Sequence, residues 1–230
     1  MSRSKNKRQL ITITNPRSPI SESYRTLRTN IDFSSIDEKL QVLMVSSAGP
    51  GEGKSTTITN LGITFAQSDR SVVLIDADLR KPTAHQTFSI SNRWGLSSVI
   101  SKQCSLEEVI QMTDIPNMDV ITSGAIPPNP AEMMASQRMT SLIEQLRGMY
   151  DVILIDTPPL LAVTDAQIIA TKSDGVILVV DQGRVKRDIA MKAVKNLENV
   201  NARILGVVLN NVKHKANEEG YYYYYGVQDK

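Results

Sequence analysis

The chain has 230 residues, with 26 basic and 24 acidic side chains and a net charge of +2. This length suits one domain, and the balanced charge does not predict nucleic-acid binding. One cysteine, Cys104, excludes an internal disulfide framework, and two histidines provide no ligand cluster for structural zinc. Because no apolar run approaches the length of a membrane span, we expect a cytoplasmic protein.

The pattern of apolar residues predicts the fold class. Short apolar runs rich in β-branched residues predict buried strands, and the amphipathic stretches between them predict helices. This alternation predicts a single-domain α/β fold, with a mostly parallel central sheet flanked by helices on both faces. The strands are predicted at 42–45, 72–75, 118–122, 152–155, 176–180 and 204–209, and the longer helices at 54–67, 131–149 and 186–200.

Local signals refine the boundaries. Ser105 and Glu108 have capping-box spacing, and Asn129 precedes Pro130, so a helix is predicted to begin at each place. The ends of the chain differ in composition from its centre. We therefore divide the chain into a basic segment at 1–19, a domain at 20–212 that starts with a helix at 20–35, and a flexible tail at 213–230.

A glycine-rich sequence follows the first predicted strand and precedes a predicted helix. Residues 48–56 read AGPGEGKST, the phosphate-loop pattern with Ala48 in place of its first glycine. In such a loop, backbone N–H groups converge on phosphate oxygens, the lysine reaches the β- and γ-phosphates, and the serine hydroxyl ligates Mg²⁺. We therefore predict a P-loop NTPase fold that binds a nucleotide and Mg²⁺, with phosphate contacts from Gly49, Gly51, Glu52, Gly53, Lys54, Ser55 and Thr56.

Carboxylates follow two other predicted strands. Asp76 and Asp78 follow the strand at 72–75, and Asp156 ends the strand at 152–155 in a Walker B pattern. Because the carboxyl ends of parallel strands face the ligand crevice, these side chains are predicted to lie beside the phosphate loop. Asp156 is expected to orient the Mg²⁺ shell. Asp76 is expected to hold Mg²⁺ or to accept a proton from an attacking hydroxyl, and Asp78 is expected to share those tasks. The predicted catalytic residues are Lys54, Asp76, Asp78 and Asp156. The predicted metal ligands are Ser55, Asp76 and Asp156.

Two features lie outside this nucleotide constellation. Glu22, Arg25 and Arg28 have the spacing E-x-x-R-x-x-R, which on a helix gives one face with an acid and two guanidinium groups. That face suits ion pairing between molecules, and a solvated helix surface is the alternative. Five of the seven tyrosines form the run Tyr221–Tyr225, where a core could not use them.

Together, these motifs resemble those of the bacterial tyrosine kinases, and more specifically the separate cytoplasmic kinase subunit of the Gram-positive capsule and exopolysaccharide type. The resemblance extends from Glu22 to the tyrosine run. It implies a protein-tyrosine kinase that transfers the γ-phosphoryl group of ATP to neighbouring tails in trans and so regulates polysaccharide synthesis and export. The implied acceptors are Tyr221, Tyr222, Tyr223, Tyr224 and Tyr225.

The resemblance also implies partners and further site residues. Glu22, Arg25 and Arg28 would mediate a ring-shaped homo-oligomer, with an octamer as one candidate size, and Asn210 would contact the adenine edge. A transmembrane activator would recruit the kinase to the inner face of the membrane, and a protein-tyrosine phosphatase would reverse the reaction. For the catalytic base we favour Asp76, with Asp78 as second choice.

Two other functions stay open from sequence. A partition-type ATPase shares the nucleotide motifs, but it would carry a signature lysine where this chain has Gly49, and it gives the tyrosine run no role. An ATP-bound scaffold phosphorylated by another kinase is the second alternative. The basic segment at 1–19 fits either a solubilising tail or contact with anionic lipid or an acidic stretch of the activator.

Overall fold

A computed structural model describes residues 10–34 and 40–212 of the chain. The predicted tail at 213–230 and its tyrosine run lie outside the described residues, as does most of the basic segment. Within the described residues, no helix combines the length and the apolar character needed to cross a bilayer.

Seven strands form one sheet in the order β3-β4-β2-β5-β1-β6-β7. All neighbours pair in parallel except β3 and β4, which are antiparallel. The predicted mostly parallel sheet is therefore confirmed. The strands are β1 (Val42–Ser47), β2 (Val72–Asp76), β3 (Ile110–Met112), β4 (Met118–Ile121), β5 (Val152–Asp156), β6 (Gly175–Asp181) and β7 (Ile204–Asn210).

Helices pack on both faces of the sheet, as the composition of the strands predicts. Two groups of buried side chains lie on opposite faces, one containing Ile58 and Phe65 and the other containing Leu142 and Leu197. The helices are α1 (Ile11–Thr14), α2 (Pro19–Phe33), α3 (Lys54–Ala66), α4 (Ala84–Phe88), α5 (Leu96–Ile100), α6 (Pro130–Ala135), α7 (Gln137–Arg147), α8 (Asp165–Ala170) and α9 (Arg187–Glu198).

Three local predictions differ from the structure. The predicted helix at 131–149 is two helices, because the Ser136 side chain accepts the N–H of Met139 and begins α7 there. The helix predicted to start at Ser105 does not form. Glu108 accepts the Ser105 N–H at 2.6 Å, as a capping box requires, but the chain makes only a turn before β3. The short strand β3 was not predicted.

The described part of the predicted N-terminal segment is packed rather than separate. Thr12, in α1, is 1% exposed, and its N–H and hydroxyl both donate to Asn60 Oδ1 on α3, at 3.2 and 2.9 Å. Ser21 ties α1 to α2 by donating to the carbonyls of Ile11 and Asn15. The N-terminal segment therefore braces the helix that follows the phosphate loop.

Candidate active site

The predicted phosphate loop connects β1 to α3 and depends on glycine. Gly51 and Gly53 have φ values of 77° and 95°, in the left-handed region that favours glycine. A Cβ atom on Gly53 would lie 2.0 Å from Asn210 Nδ2. Ser55, whose hydroxyl is the predicted Mg²⁺ ligand, is buried at the start of α3. The loop geometry therefore permits no side chain at position 53.

Three side chains hold the phosphate loop. The Glu52 carboxylate accepts the Gly49 N–H, the Asn210 side chain donates to the Glu52 carbonyl at 2.9 Å, and Arg184 donates to the Gly51 carbonyl at 3.2 Å. Asn210 ends β7, and Arg184 follows β6. The last two strands thus position the loop that follows the first, and the contact of Asn210 with adenine stays a prediction.

Glu52 is a buried acid inside the loop. It is 3% exposed, and its second oxygen, Oε2, has no hydrogen-bond partner among the described residues. Burial raises the pKa of Glu52 above its ordinary value, although the Gly49 N–H opposes the shift. The Glu52 carboxylate therefore braces the loop, and a phosphate contact from Glu52 stays a prediction.

Lys54 brings the predicted catalytic residues together. Its Nζ lies 3.3 Å from Asp78 Oδ2, 3.5 Å from Asp156 Oδ1 and 3.2 Å from Ser55 Oγ. Burial alone would lower the pKa of Lys54, but the charges of Asp156 and Asp78 outweigh it and raise that pKa. Residues more than 100 positions apart along the chain therefore form one charged cluster, as the order of the motifs predicts.

Asp76 has one bound and one free carboxylate oxygen. Oδ2 accepts the N–H groups of Thr83 and Ala84, both at 2.8 Å, whereas the buried Oδ1 has no partner among the described residues. Burial, followed by the charge of Asp156, raises the Asp76 pKa to about 7. Such a carboxyl group exchanges its proton near neutral pH, as a general base must.

The oxygen ligands fit Mg²⁺. Mg²⁺ usually keeps several waters and takes only one or two protein carboxylates together with phosphate oxygens. The Ser55 hydroxyl and Asp156 are hard donors at the edge of the sheet where Asp156 is paired in register with Asp76, and the free oxygen of Asp76 serves either the metal or a proton. Asp78 is fixed differently, because its Oδ1 accepts the Lys81 N–H at 3.0 Å.

An ion pair that the sequence did not predict supports this cluster. Arg80 donates from Nε and from a terminal nitrogen to the two oxygens of Asp165, at 2.9 and 3.0 Å. Asp165 is 1% exposed at the start of α8. The pair fastens the loop that carries Asp78 to the segment that follows Asp156 and β5.

Replacing Asp165 by asparagine is expected to reduce kcat about five- to tenfold with little change in the KM for ATP. The asparagine keeps one of two charge-assisted hydrogen bonds, so the loop bearing Asp78 becomes less well positioned. Arg80→Lys should have a similar effect, since lysine retains the charge but not the planar fork. Steady-state kinetics with Asp188→Asn as the control, on an exposed acid of α9, test this. Unchanged kcat in both Asp165→Asn and Arg80→Lys would contradict the positioning role.

The E-x-x-R-x-x-R residues lie away from this cluster on α2. Glu22 accepts from Arg25 at 2.5 Å, and Arg25 also donates to the Pro16 carbonyl. Arg28 donates to the Thr64 carbonyl of α3 at 2.7 Å. Two of the three predicted interface residues therefore pair with each other, and the third helps to dock α2; their role between molecules stays a prediction.

The fold and this constellation define a P-loop nucleotide-binding α/β domain. Consistent with that class, residues 40–210 match the family described as "AAA domain". The chain is 46% identical to tyrosine-protein kinase YwqD of Bacillus subtilis, over 98% of this chain and 94% of that protein. It is 38% identical to tyrosine-protein kinase CpsD of Streptococcus agalactiae, over 91% of each chain.

Solved structures agree with the sequence relatives. The kinase domain of the Escherichia coli tyrosine kinase Etk matches with a TM-score of 0.87 and 35% identity, covering 94% of this chain and 84% of that one. The chimerical protein CapA2B2 matches with a TM-score of 0.86 and 39% identity, covering 89% and 90%. This chain belongs to the bacterial tyrosine-protein kinase family, and the predicted protein-tyrosine kinase activity is confirmed at that level.

A more distant structure shares the fold and contains a nucleotide. The septum site-determining protein MinD of Pyrococcus horikoshii, complexed with Mg-ADP, matches with a TM-score of 0.66 and 25% identity, covering 76% of this chain and 72% of that one. The predicted P-loop NTPase fold is therefore confirmed.

Proposed function

We propose that this protein uses ATP and Mg²⁺ to phosphorylate its own C-terminal tyrosines, Tyr221–Tyr225, in trans, and that these cycles regulate capsular or exopolysaccharide synthesis and export. The observation that carries the proposal is the contact between the end of β7 and the phosphate loop. Asn210, the last residue of β7, donates to the Glu52 carbonyl of that loop, and the tyrosine run begins 11 residues further along the chain. The Mg-ADP held by the MinD relative supports nucleotide and metal binding in this fold.

The charged cluster suits phosphoryl transfer to a phenol. The tyrosine oxygen would form a bond to the γ-phosphorus as the bond to the oxygen bridging β- and γ-phosphate breaks, and ADP would leave. A tyrosine with a pKa near 10 is a weak nucleophile at neutral pH, so a base is useful. We assign the phenolic proton to the free Oδ1 of Asp76 and charge stabilisation to Lys54. Bound Mg²⁺, held by Ser55 and Asp156, would neutralise phosphate charge.

Asn210 has the groups needed for the proposed adenine contact. One N–H of its amide is used on the Glu52 carbonyl. The second N–H and the side-chain carbonyl remain to pair with the base edge. Asn210 would thus link adenine binding to the geometry of the phosphate loop.

The proposed partners follow the same assignment. A transmembrane activator would recruit the kinase to the inner face of the membrane, and a protein-tyrosine phosphatase would reset the tail. Ring assembly would use Glu22, Arg25 and Arg28, with the Glu22–Arg25 pair exchanged for contacts to the neighbouring subunit. Because Glu22 and Arg25 lie at the surface, that exchange has a small energetic cost.

Mixing two variants tests transfer in trans. Lys54→Met chains with intact tails provide acceptors without activity, and active chains lacking residues 221–225 provide activity without acceptors. We expect the Lys54→Met chains to become tyrosine-phosphorylated when both are incubated with Mg-ATP and a cytoplasmic peptide of the activator, measured by phosphotyrosine immunoblotting. Lys54→Met chains alone are the control and should stay unlabelled. Labelling of intact active chains without labelling of the mixture would establish transfer in cis instead.

The likeness to MinD makes a partition-type ATPase the second candidate. Gly49 replaces the lysine that such an ATPase would need, and its N–H bonds to Glu52 instead. ATP hydrolysis without Lys54-dependent phosphotyrosine would favour that candidate over the kinase.

A further inference from the structure

A basic surface lies next to the phosphate loop, and within it only Arg184 has a role described above, as a brace for that loop. It consists of Arg184, Lys186 and Arg187, which follow β6 and begin α9, and is called the basic loop here. All three side chains are exposed. The basic loop lies at the nucleotide edge of the sheet, because Arg184 donates to the Gly51 carbonyl at 3.2 Å.

Two acids lie close to the basic loop along the chain, Asp181 and the exposed Asp188 in the first turn of α9. Asp181 lies 3.9 Å from Arg184 and is buried at the end of β6. Across residues 10–34 and 40–212, no carboxylate forms an ion pair with Lys186 or Arg187. Cations at the N-terminus of a helix oppose its dipole, so the stability of α9 does not account for them. Their free charge is therefore available to an anionic partner.

The sequence of this chain provides a pair of acids close to the tyrosine run, preceded by Lys213 and Lys215. Glu218 and Glu219 are the only acids between the end of β7 and the tyrosine run, and Tyr221 follows Glu219 by two residues. Two residues of extended chain span about 7 Å, so a glutamate bound beside the phosphate loop holds the first tyrosine nearby. Opposite charges thus occur on the enzyme surface and immediately before the proposed acceptors.

We propose that the basic loop binds the Glu218–Glu219 pair of a tyrosine tail from a second copy of this chain, through Lys186 and Arg187, and so presents the tyrosine run to the nucleotide. This inference rests on the proposed function and adds the residues that select the acceptor. The contact is exposed, so it sets the KM for the tail more than the rate of transfer and weakens as salt rises.

A charge-swap experiment tests the contact. The kinase is the full chain with Tyr221–Tyr225 replaced by phenylalanine, with or without Lys186→Glu and Arg187→Glu. The acceptor is the full Lys54→Met chain, with either its natural tail or Glu218→Lys and Glu219→Lys. We expect the reversed kinase to have about tenfold higher KM for the natural tail, because two surface ion pairs become repulsive. The lysine-bearing tail should restore most of this loss.

The matched control is Lys192→Glu with Lys195→Glu, which changes the net charge equally on the same helix but away from the loop. It should phosphorylate the natural tail as the unmodified kinase does. Equal KM values for the natural tail in the reversed and control kinases would overturn the proposal. If the reversed kinase has the melting temperature of the unmodified one, failure of the lysine-bearing tail to restore its activity would also overturn the proposal. Absence of phosphotyrosine from the unmodified kinase would instead overturn the proposed function, and this inference with it.

Discussion

Replacing Lys54 by arginine is expected to reduce tail phosphorylation by at least about 10²- to 10³-fold, the usual effect of removing a charge-stabilising group in an active site. The ammonium of Lys54 lies between Asp78, Asp156 and Ser55, within 3.5 Å of each. Arginine keeps the positive charge but is planar and longer, so it does not reproduce this point charge in a buried site. Initial rates of phosphotyrosine formation provide the measurement.

Comparing Lys54→Arg, which keeps the positive charge, with Lys54→Met separates an effect on catalysis from an effect on folding. Lys54→Met removes the cation that lies beside the carboxylates of Asp78 and Asp156, so it should also lower the free energy of unfolding. Lys54→Arg should unfold like the unmodified protein while having lost activity. Lys192→Arg, on the exposed face of α9, is the matched control and should keep both properties. Substantial kinase activity in Lys54→Arg would remove Lys54 from its proposed role.

The parts of this protein that sequence predicts well depend on local patterns. The strand at 72–75 is apolar throughout because both faces of the sheet are covered, and β2 occupies Val72–Asp76. The phosphate loop could be predicted because its backbone conformation requires glycines. At Gly53, for example, φ is positive and a Cβ atom would lie 2.0 Å from Asn210 Nδ2. The proximity of Asp76 and Asp156 could be predicted because parallel strands end at one edge of the sheet, and the two residues are paired in register.

The parts that sequence did not predict depend on partners distant in the chain. Arg80 and Asp165 are separated by 85 positions, and Arg184 and Gly51 by 133, so no spacing rule connects them. At Ser105 a local helix signal is present, but the predicted helix does not form. Its capping hydrogen bond with Glu108 forms, yet Leu106 and Val109 are buried against the core and the chain turns into β3 instead of a helix. Tertiary packing decides such cases over local preference.

Replacing Asp76 by asparagine is expected to lower kcat about 10²- to 10⁴-fold, the usual contribution of a general base. In the unmodified kinase, kcat/KM should rise with pH through about 7, because kcat/KM reports the free enzyme, in which the raised pKa of Asp76 leaves the carboxyl group protonated below that pH. The residual rate of Asp76→Asn should lack this rise. Asp78→Asn is the comparison: if it, and not Asp76→Asn, removes the dependence on pH, then Asp78 is the base.

The same substitution should stabilise the nucleotide-free fold, with an effect that depends on pH in a defined direction. The Asp76 pKa is 3.8 in an ordinary setting and about 7 in the folded chain. Between these values the group ionises more readily in the unfolded state, so the unmodified protein loses stability as pH rises through that range and loses no more above it. Asparagine cannot ionise, but its side-chain oxygen can still accept the N–H groups of Thr83 and Ala84. The difference in unfolding free energy between Asp76→Asn and the unmodified chain should therefore grow from about pH 4 to about pH 7, as measured by urea denaturation. A difference that does not vary with pH would show that folding does not raise the Asp76 pKa, and the assignment of the base would then lose its physical basis.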